Sequence, residues 1–245
     1  MVPRCLKIFD QLFLALKDTP HACSISTGIM FLKSVTWCSN EPIYENLSDT
    51  KVVWFVRHGQ STANTVGAPA HHMTEYKDAL LTNHGIQQAI QLQKTTITWS
   101  PDIIVTSPLR RAIQTSCVAF SNVSAPIVGN PLCTECFSGC QENIGHAPIE
   151  LAKDPTLTCF PRFQDVQLKN IEDEWWNIDT PPERYQQFYN ELRNLPHRRI
   201  VVVAHWGFVY RFFKELANFE VCLQNCEWIR TTWAIETVSS RNDRF

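Results

Sequence analysis

The stretch VVWFVRHGQSTAN, residues 52–64, sets the terms of the reading. Val52 to Val56 is a continuous run of β-branched and aromatic residues, the pattern of a strand buried on both faces of a parallel sheet. It stops abruptly at Arg57, His58 and Gly59. In open α/β sheets, ligands collect beyond the carboxyl ends of the strands. An arginine, a histidine and a glycine able to bring the backbone close to a ligand therefore stand where a ligand is expected.

Working outward, four more segments read as strands: 102–106 (DIIVT), 125–129 (APIVG), 199–204 (RIVVVA) and 232–238 (TWAIETV). Helical patterns lie between them. Thr82 is a capping residue before NHGIQQAIQLQKT, with Ile86, Ala89, Ile90 and Gln93 at helical spacing. Ser107-Pro108 opens a second helix, LRRAIQTSCVAF, because proline suits a first helical turn. PPERYQQFYNELRNL, ending at Leu195, is a third, and WGFVYRFFKELANF follows the fourth strand directly. Alternating strands and helices predict an α/β fold, three-layer helix–sheet–helix with a mainly parallel sheet. Residues 131–180 break the alternation and are expected as a long, mobile insertion over the active site. Residues 1–50 form an N-terminal extension of unknown role, in which CLKIFDQLFLALK (5–17) has helical spacing interrupted by Asp10, and 51–245 the main domain.

Composition narrows the function. A formal charge of −2 argues against a broadly basic nucleic-acid binder, and no stretch approaches the roughly 20 apolar residues of a membrane span. The ten cysteines are scattered along a chain too long to need disulfide staples, which suggests reduced thiols and a cytoplasmic location. Asn46 and Asn122 head short sequons that decide nothing. Cys133, Cys136 and Cys140, with His146 and Cys159 nearby, are spaced in part like zinc ligands, yet the second paired block is missing. No metal and no cofactor is expected. Trp175 and Trp176 read as anchors of the insertion, and His71, His72 and His84 as surface residues.

The strand ends carry the chemistry. The first delivers Arg57 and His58, the second Arg110 and Arg111 at a helix start, and the fourth His205. Neighbouring parallel strands lie about 5 Å apart, so two histidines and a further arginine converge if these strands are adjacent. A helix N-terminus beside them adds N–H donors and the positive dipole end. Such a pocket suits a phosphate monoester, a near-dianion with three strong acceptors that arginine can grip bidentately. A neutral imidazole can attack phosphorus. The leaving alkoxide needs an acid, and Glu135, just after the third strand, is the nearest candidate.

RHGQS, LTNHGIQQA, SPLRRAIQT and VVVAHWG, in that order from about residue 51 to about 215, resemble the signature blocks of the histidine phosphatase superfamily, the phosphoglycerate-mutase-like proteins. The resemblance implies a phosphohistidine intermediate on His58. It implies a phosphate pocket of Arg57, His58, Asn64, Arg111 and His205, Arg111 being favoured over Arg110 because it directly precedes Ala112. Arg110 beside it reads as a solvated helix residue. The resemblance also implies Glu135 as proton donor, four residues before Gly139. The donor block reads ECFSG, without the basic residues that would hold a second phosphate in a mutase. The reading is therefore a metal-independent phosphatase acting on a phosphorylated small molecule or protein. Its alternatives are a phosphoglycerate-type mutase and a non-catalytic phosphate-binding module. Neither the substrate nor the oligomeric state follows from the sequence.

Overall fold

The computed structural model describes residues 34–36, 50–136, 139–169, 171–177 and 182–234. The amino-terminal segment 5–17, Asn46 and residues 235–238 of the fifth expected strand lie outside them. Seven strands form one sheet: β1 (Ser34–Thr36), β2 (Thr50–Arg57), β3 (Ile103–Thr106), β4 (Ile127–Gly129), β5 (Val166–Gln167), β6 (Arg199–Ala204) and β7 (Trp228–Ala234). Their spatial order is β1-β7-β2-β6-β3-β4-β5. The run from β2 to β5 is parallel. β7 pairs antiparallel with β2 and with β1.

The helices include α1 (Thr62–Val66), α2 (Asn83–Thr96), α3 (Arg110–Ala119), α4 (Pro148–Leu151), α5 (Pro155–Thr158), α6 (Pro182–Asn194) and α7 (Trp206–Ala217). The period of two along the strands sorts them into layers. Val53, Phe55 and Val202 point into one core with Phe188 of α6 and Phe208 and Phe212 of α7. Val52, Trp54, Val56, Val201 and Val203 point the other way, against Ala89 and Leu92 of α2 and Ala112 of α3. This is the expected helix–sheet–helix arrangement, with β2 and β6 buried on both faces.

Three expectations need correction. The last strand starts at Trp228 rather than Thr232. It is half-buried, with Ile229, Thr231 and Trp233 inward and their neighbours partly exposed. The alternation of WIRTTWA was the signal to follow. Arg110, expected to be solvated, lies largely buried between the carboxylates of Asp78 and Asp154. The insertion, expected to lie only over the site, also extends the sheet with β5. Its Leu151, Leu157 and Phe163 build a small core against Ile113 and Cys117 of α3. Trp175 is buried as an anchor, its indole N–H donating to the carbonyl of His146 (2.9 Å) and its ring lying where a Cβ on Gly145 would be.

Candidate active site

Register aligns the strand ends. Arg57 of β2 pairs with Ala204 of β6, and Thr106 of β3 with Val203, so the next residues, His58, His205 and Ser107, emerge side by side. The His58 and His205 rings lie with centroids 5.1 Å apart. Both residues are buried.

The loop bearing His58 is locked from behind. The backbone N–H of Gly59 donates to Thr115 Oγ1 (3.0 Å), and that hydroxyl donates to the Arg111 carbonyl (2.7 Å). The N–H of Gln60 donates to Gln88 Oε1 (2.8 Å), while Thr82 caps α2 and also donates to the Gln60 side chain (2.9 Å). The two glycines are required by contact. A Cβ on Gly59 would lie 2.6 Å from the Gly85 carbonyl oxygen, and one on Gly85 would lie 2.1 Å from that of Gln60. The block LTNHGIQQA thus seats the first turn of α2 against the loop that carries His58.

His58 has a defined tautomer. Its Nδ1 lies 2.6 Å from the Gly59 carbonyl, an acceptor only, so Nδ1 carries the proton. Nε2 accepts from Arg111 Nε at 3.3 Å, so its single in-plane lone pair rests on the guanidinium and becomes free for an electrophile when that hydrogen bond is released. Burial, followed by Arg111 and Arg57, holds the ring well below the usual imidazole pKa; the Gly59 hydrogen bond opposes this. His205 is lowered in the same way, by burial first and then by Arg111. Both of its ring nitrogens are buried with no hydrogen-bond partner among the described residues. Such orphaned groups call for an explanation, and a polar ligand between the two imidazoles supplies one.

The guanidinium groups are held by main-chain oxygens. Arg57 Nη1 donates to the Leu223 carbonyl (2.9 Å), and its Nε is buried with no hydrogen-bond partner among the described residues. Arg111 donates to the Glu142 carbonyl and to Asn143 Oδ1 (2.8 Å). With the bond to His58, these contacts use three of its five N–H groups and leave two to grip an anion. Burial lowers the pKa of both arginines, and the Glu135 carboxylate opposes the shift in each.

Glu135 sits at the start of α7. Its carboxylate accepts from the N–H groups of Gly207 (3.2 Å) and Phe208 (2.9 Å), and from its own neighbour Cys136 (2.7 Å). An anion thus already occupies the positive end of this helix. Gly207 permits the approach, since a Cβ there would lie 2.6 Å from Glu135 Oε1.

Asn64 completes a capping box with Ser61. Its Oδ1 accepts from the Ser61 N–H (3.0 Å) and its own N–H donates to Ser61 Oγ (3.3 Å). Asn225 bridges Asn64 Oδ1 and the His58 carbonyl (3.3 and 3.0 Å), tying Asn64 to the rim of the loop. Sequence reasoning missed three residues here. Asn143 and Asn225 orient Arg111 and His58. Arg184 of α6 is buried and donates to the carbonyls of Leu132 and Thr134, fastening the turn before Glu135. Cys133 and Cys136, considered as metal ligands with Cys140, are instead buried in the core, bonded to the Asn130 carbonyl and to Tyr185 Oη (3.1 and 3.2 Å).

The sequence profile of the histidine phosphatase superfamily (branch 1) matches residues 53–236, a span that includes all of these residues. The chain belongs to the histidine phosphatase superfamily. Its relatives in that superfamily carry both phosphatase and mutase-like names. Phosphoglycerate mutase-like protein 1 of Arabidopsis thaliana is 25% identical over 224 residues, covering 72% of this chain and 79% of its own. The adenosylcobalamin/alpha-ribazole phosphatase of Escherichia coli (strain K12) is 28% identical over 158 residues, covering 63% and 73%. Among solved structures, mycobacterial hydrolase 1 superposes with a TM-score of 0.50 at 19% identity, over 77% of this chain and 97% of its own, a likeness of fold.

Proposed function

We propose that the protein is a metal-independent phosphatase that hydrolyses a phosphate monoester through a phosphohistidine on His58. One observation carries the reading. His58 is buried as the neutral Nδ1–H tautomer, its Nε2 lone pair held by Arg111 and its ring 5.1 Å from a second buried imidazole whose ring nitrogens have no partner among the described residues. A binding module needs no such nucleophile.

The phosphoryl group would lie between the rings, its oxygens gripped by Arg57, Arg111 and His205, with Asn64 at the rim. Two guanidinium groups supply the positive charge that phosphoryl transfer requires. As Arg111 turns its Nε–H from His58 to a phosphoryl oxygen, His58 Nε2 attacks phosphorus and the ester P–O bond breaks. The incoming phosphoryl group approaches the same α7 N-terminus that the Glu135 side chain occupies. Glu135 then delivers the proton to the leaving alkoxide. In the second half, water attacks phosphorus, the P–N bond breaks with its electron pair returning to His58, and Glu135 takes the proton from water.

The test is turnover of an aryl phosphate with and without EDTA, beside rapid-quench labelling with a ³²P-phosphoester. Activity persisting in EDTA, with acid-labile label on wild type and none on His58→Ala, is the expected result. Turnover surviving in His58→Ala, or abolished by EDTA, defeats the proposal. The mutase reading is separated by supplying an alcohol acceptor: phosphate recovered on the acceptor in preference to water would favour it. The donor turn argues the other way, since ECFSG contains no basic residue.

A further inference from the structure

A second group of chemically capable side chains lies outside the reaction centre, against the segment that grips Arg111. His71 lies in the 3-10 turn Ala68–His72, Glu142 in the 3-10 turn Gln141–Asn143, and Cys140 directly precedes the latter. The turns are stitched together near Asp78, whose N–H donates to the Gln141 carbonyl (3.3 Å). One donor atom from each of the three side chains lies within 4.8 Å of the others. His71 Nδ1 contacts Glu142 Oε1, while Glu142 Oε2 is buried with no hydrogen-bond partner among the described residues.

That unsatisfied oxygen matters. A simple His71–Glu142 ion pair with a thiol alongside would leave half of a mostly buried carboxylate without a donor, at a cost in free energy. A cation held by all three groups removes the deficit. The donor set also selects the ion. Calcium and magnesium take oxygen ligands almost exclusively, whereas zinc accepts imidazole nitrogen, thiolate sulfur and carboxylate oxygen together.

We propose that His71, Cys140 and Glu142 form a binding site for a divalent ion of the zinc class, with water completing a tetrahedron. Metal–ligand bonds of about 2.0–2.3 Å place tetrahedral donors roughly 3.3–3.7 Å apart. The His71–Glu142 contact must open to admit the ion and the widest separation close by about 1 Å, which rotation of the partly exposed His71 and Cys140 side chains provides. The ion touches no reacting atom. It fastens the turn at 68–72 to the segment whose Glu142 carbonyl and Asn143 side chain hold Arg111. Its role is to steady a support that the protein's own hydrogen bonds already hold, so EDTA should lower turnover modestly without abolishing it.

The experiment is titration of the full-length, EDTA-treated and reduced protein with Co²⁺, followed by competition with Zn²⁺. One equivalent of Co²⁺ should give a thiolate-to-metal charge-transfer band with tetrahedral d–d intensity, displaced by Zn²⁺. Cys140→Ser should abolish the band, and His71→Ala should weaken Zn²⁺ affinity by at least about 10-fold, since even outer-shell partners are worth that much. Cys159→Ser, at an exposed cysteine outside the group, should leave the band unchanged. In the wild-type protein, Zn²⁺ should also slow iodoacetamide labelling of Cys140, located by mass spectrometry, a readout that needs no variant to fold. A band of equal strength in Cys140→Ser, Zn²⁺ affinity unchanged in His71→Ala, or Cys140 labelling indifferent to Zn²⁺ would each overturn the site.

Discussion

The contact between Gly207 and Glu135 gives the sharpest test of the acid–base assignment. In Gly207→Ala the new methyl group would lie 2.6 Å from Glu135 Oε1, 3.3 Å from its Cδ and 3.5 Å from Cys136 Cβ. The atom in the way is the end of a flexible side chain, so the carboxylate moves and the fold stays. Reaching ordinary contact at 3.4 Å requires a shift of about 0.8 Å, which carries Oε1 from 2.9 Å to beyond hydrogen-bond range of the Phe208 N–H. Losing hydrogen bonds to a charged acceptor costs about 1.5–3 kcal/mol each when nothing replaces them. Water can reach the displaced carboxylate, so the net loss of stability should stay near 1 kcal/mol. Catalysis should suffer more, because general acid–base assistance is worth about 10²–10⁴-fold and a 1 Å misplacement can cost about 10²-fold. The assay compares kcat on an alkyl phosphate with kcat on p-nitrophenyl phosphate, whose stable phenolate needs little protonation to leave. Gly207→Ala should lose about 10²-fold on the alkyl ester and less than about 10-fold on the aryl ester. Equal losses on both, or none on the alkyl ester, would show that Glu135 is not the proton donor.

Further expectations bear on the scaffold and on pH. Gly85→Ala drives a methyl group to 2.1 Å from the Gln60 carbonyl oxygen. That neighbour is backbone and cannot swing away, so urea denaturation should show a loss of roughly 1–3 kcal/mol, with kcat falling alongside. Thr115→Val leaves the Gly59 N–H without its acceptor; a buried unpaired donor costs about 1–3 kcal/mol, measurable by the same denaturation. Burial holds His58 and His205 well below the free imidazole value, so below about pH 6.5 the unfolded chain binds protons that the folded one refuses. Their contribution to stability is therefore complete above about pH 6.5 and declines as pH falls from there through the folded-state values. Asp78 acts in the opposite sense: burial raises its carboxyl to about 7, so its contribution is lost as pH rises from about 4 to 7. The histidine effect is isolated by difference, the fall in Tm between pH 7.5 and 5.5 being smaller in His205→Gln than in wild type. An identical fall in both proteins would contradict the placement of His205 as a buried neutral ring.

What the sequence makes legible is whatever repeats locally or ends abruptly. The strands 50–57 and 199–204 are each followed by a histidine, and parallel register carries the two rings to 5.1 Å without further information. The rest is set by contacts across long sequence separations. Arg184 reaches the Leu132 carbonyl 52 positions away, and a carbonyl carries no side-chain signature to pair with it. Arg110 and Arg111 are indistinguishable as letters. α3 turns one toward Asp78 and Asp154 and the other toward His58, a division fixed by the 100° step between consecutive helical residues. Glycine spacing hid the most, because Gly59 and Gly85 are informative only as a pair. Each takes the space the other's neighbouring backbone needs, so the motif that looked like a helix start is also half of the contact that holds the His58 loop. The same logic extends to Gly207 and Glu135: where a glycine in a phosphate site has an ordinary φ, the side chain resting on it, rather than backbone freedom, explains why no larger residue stands there.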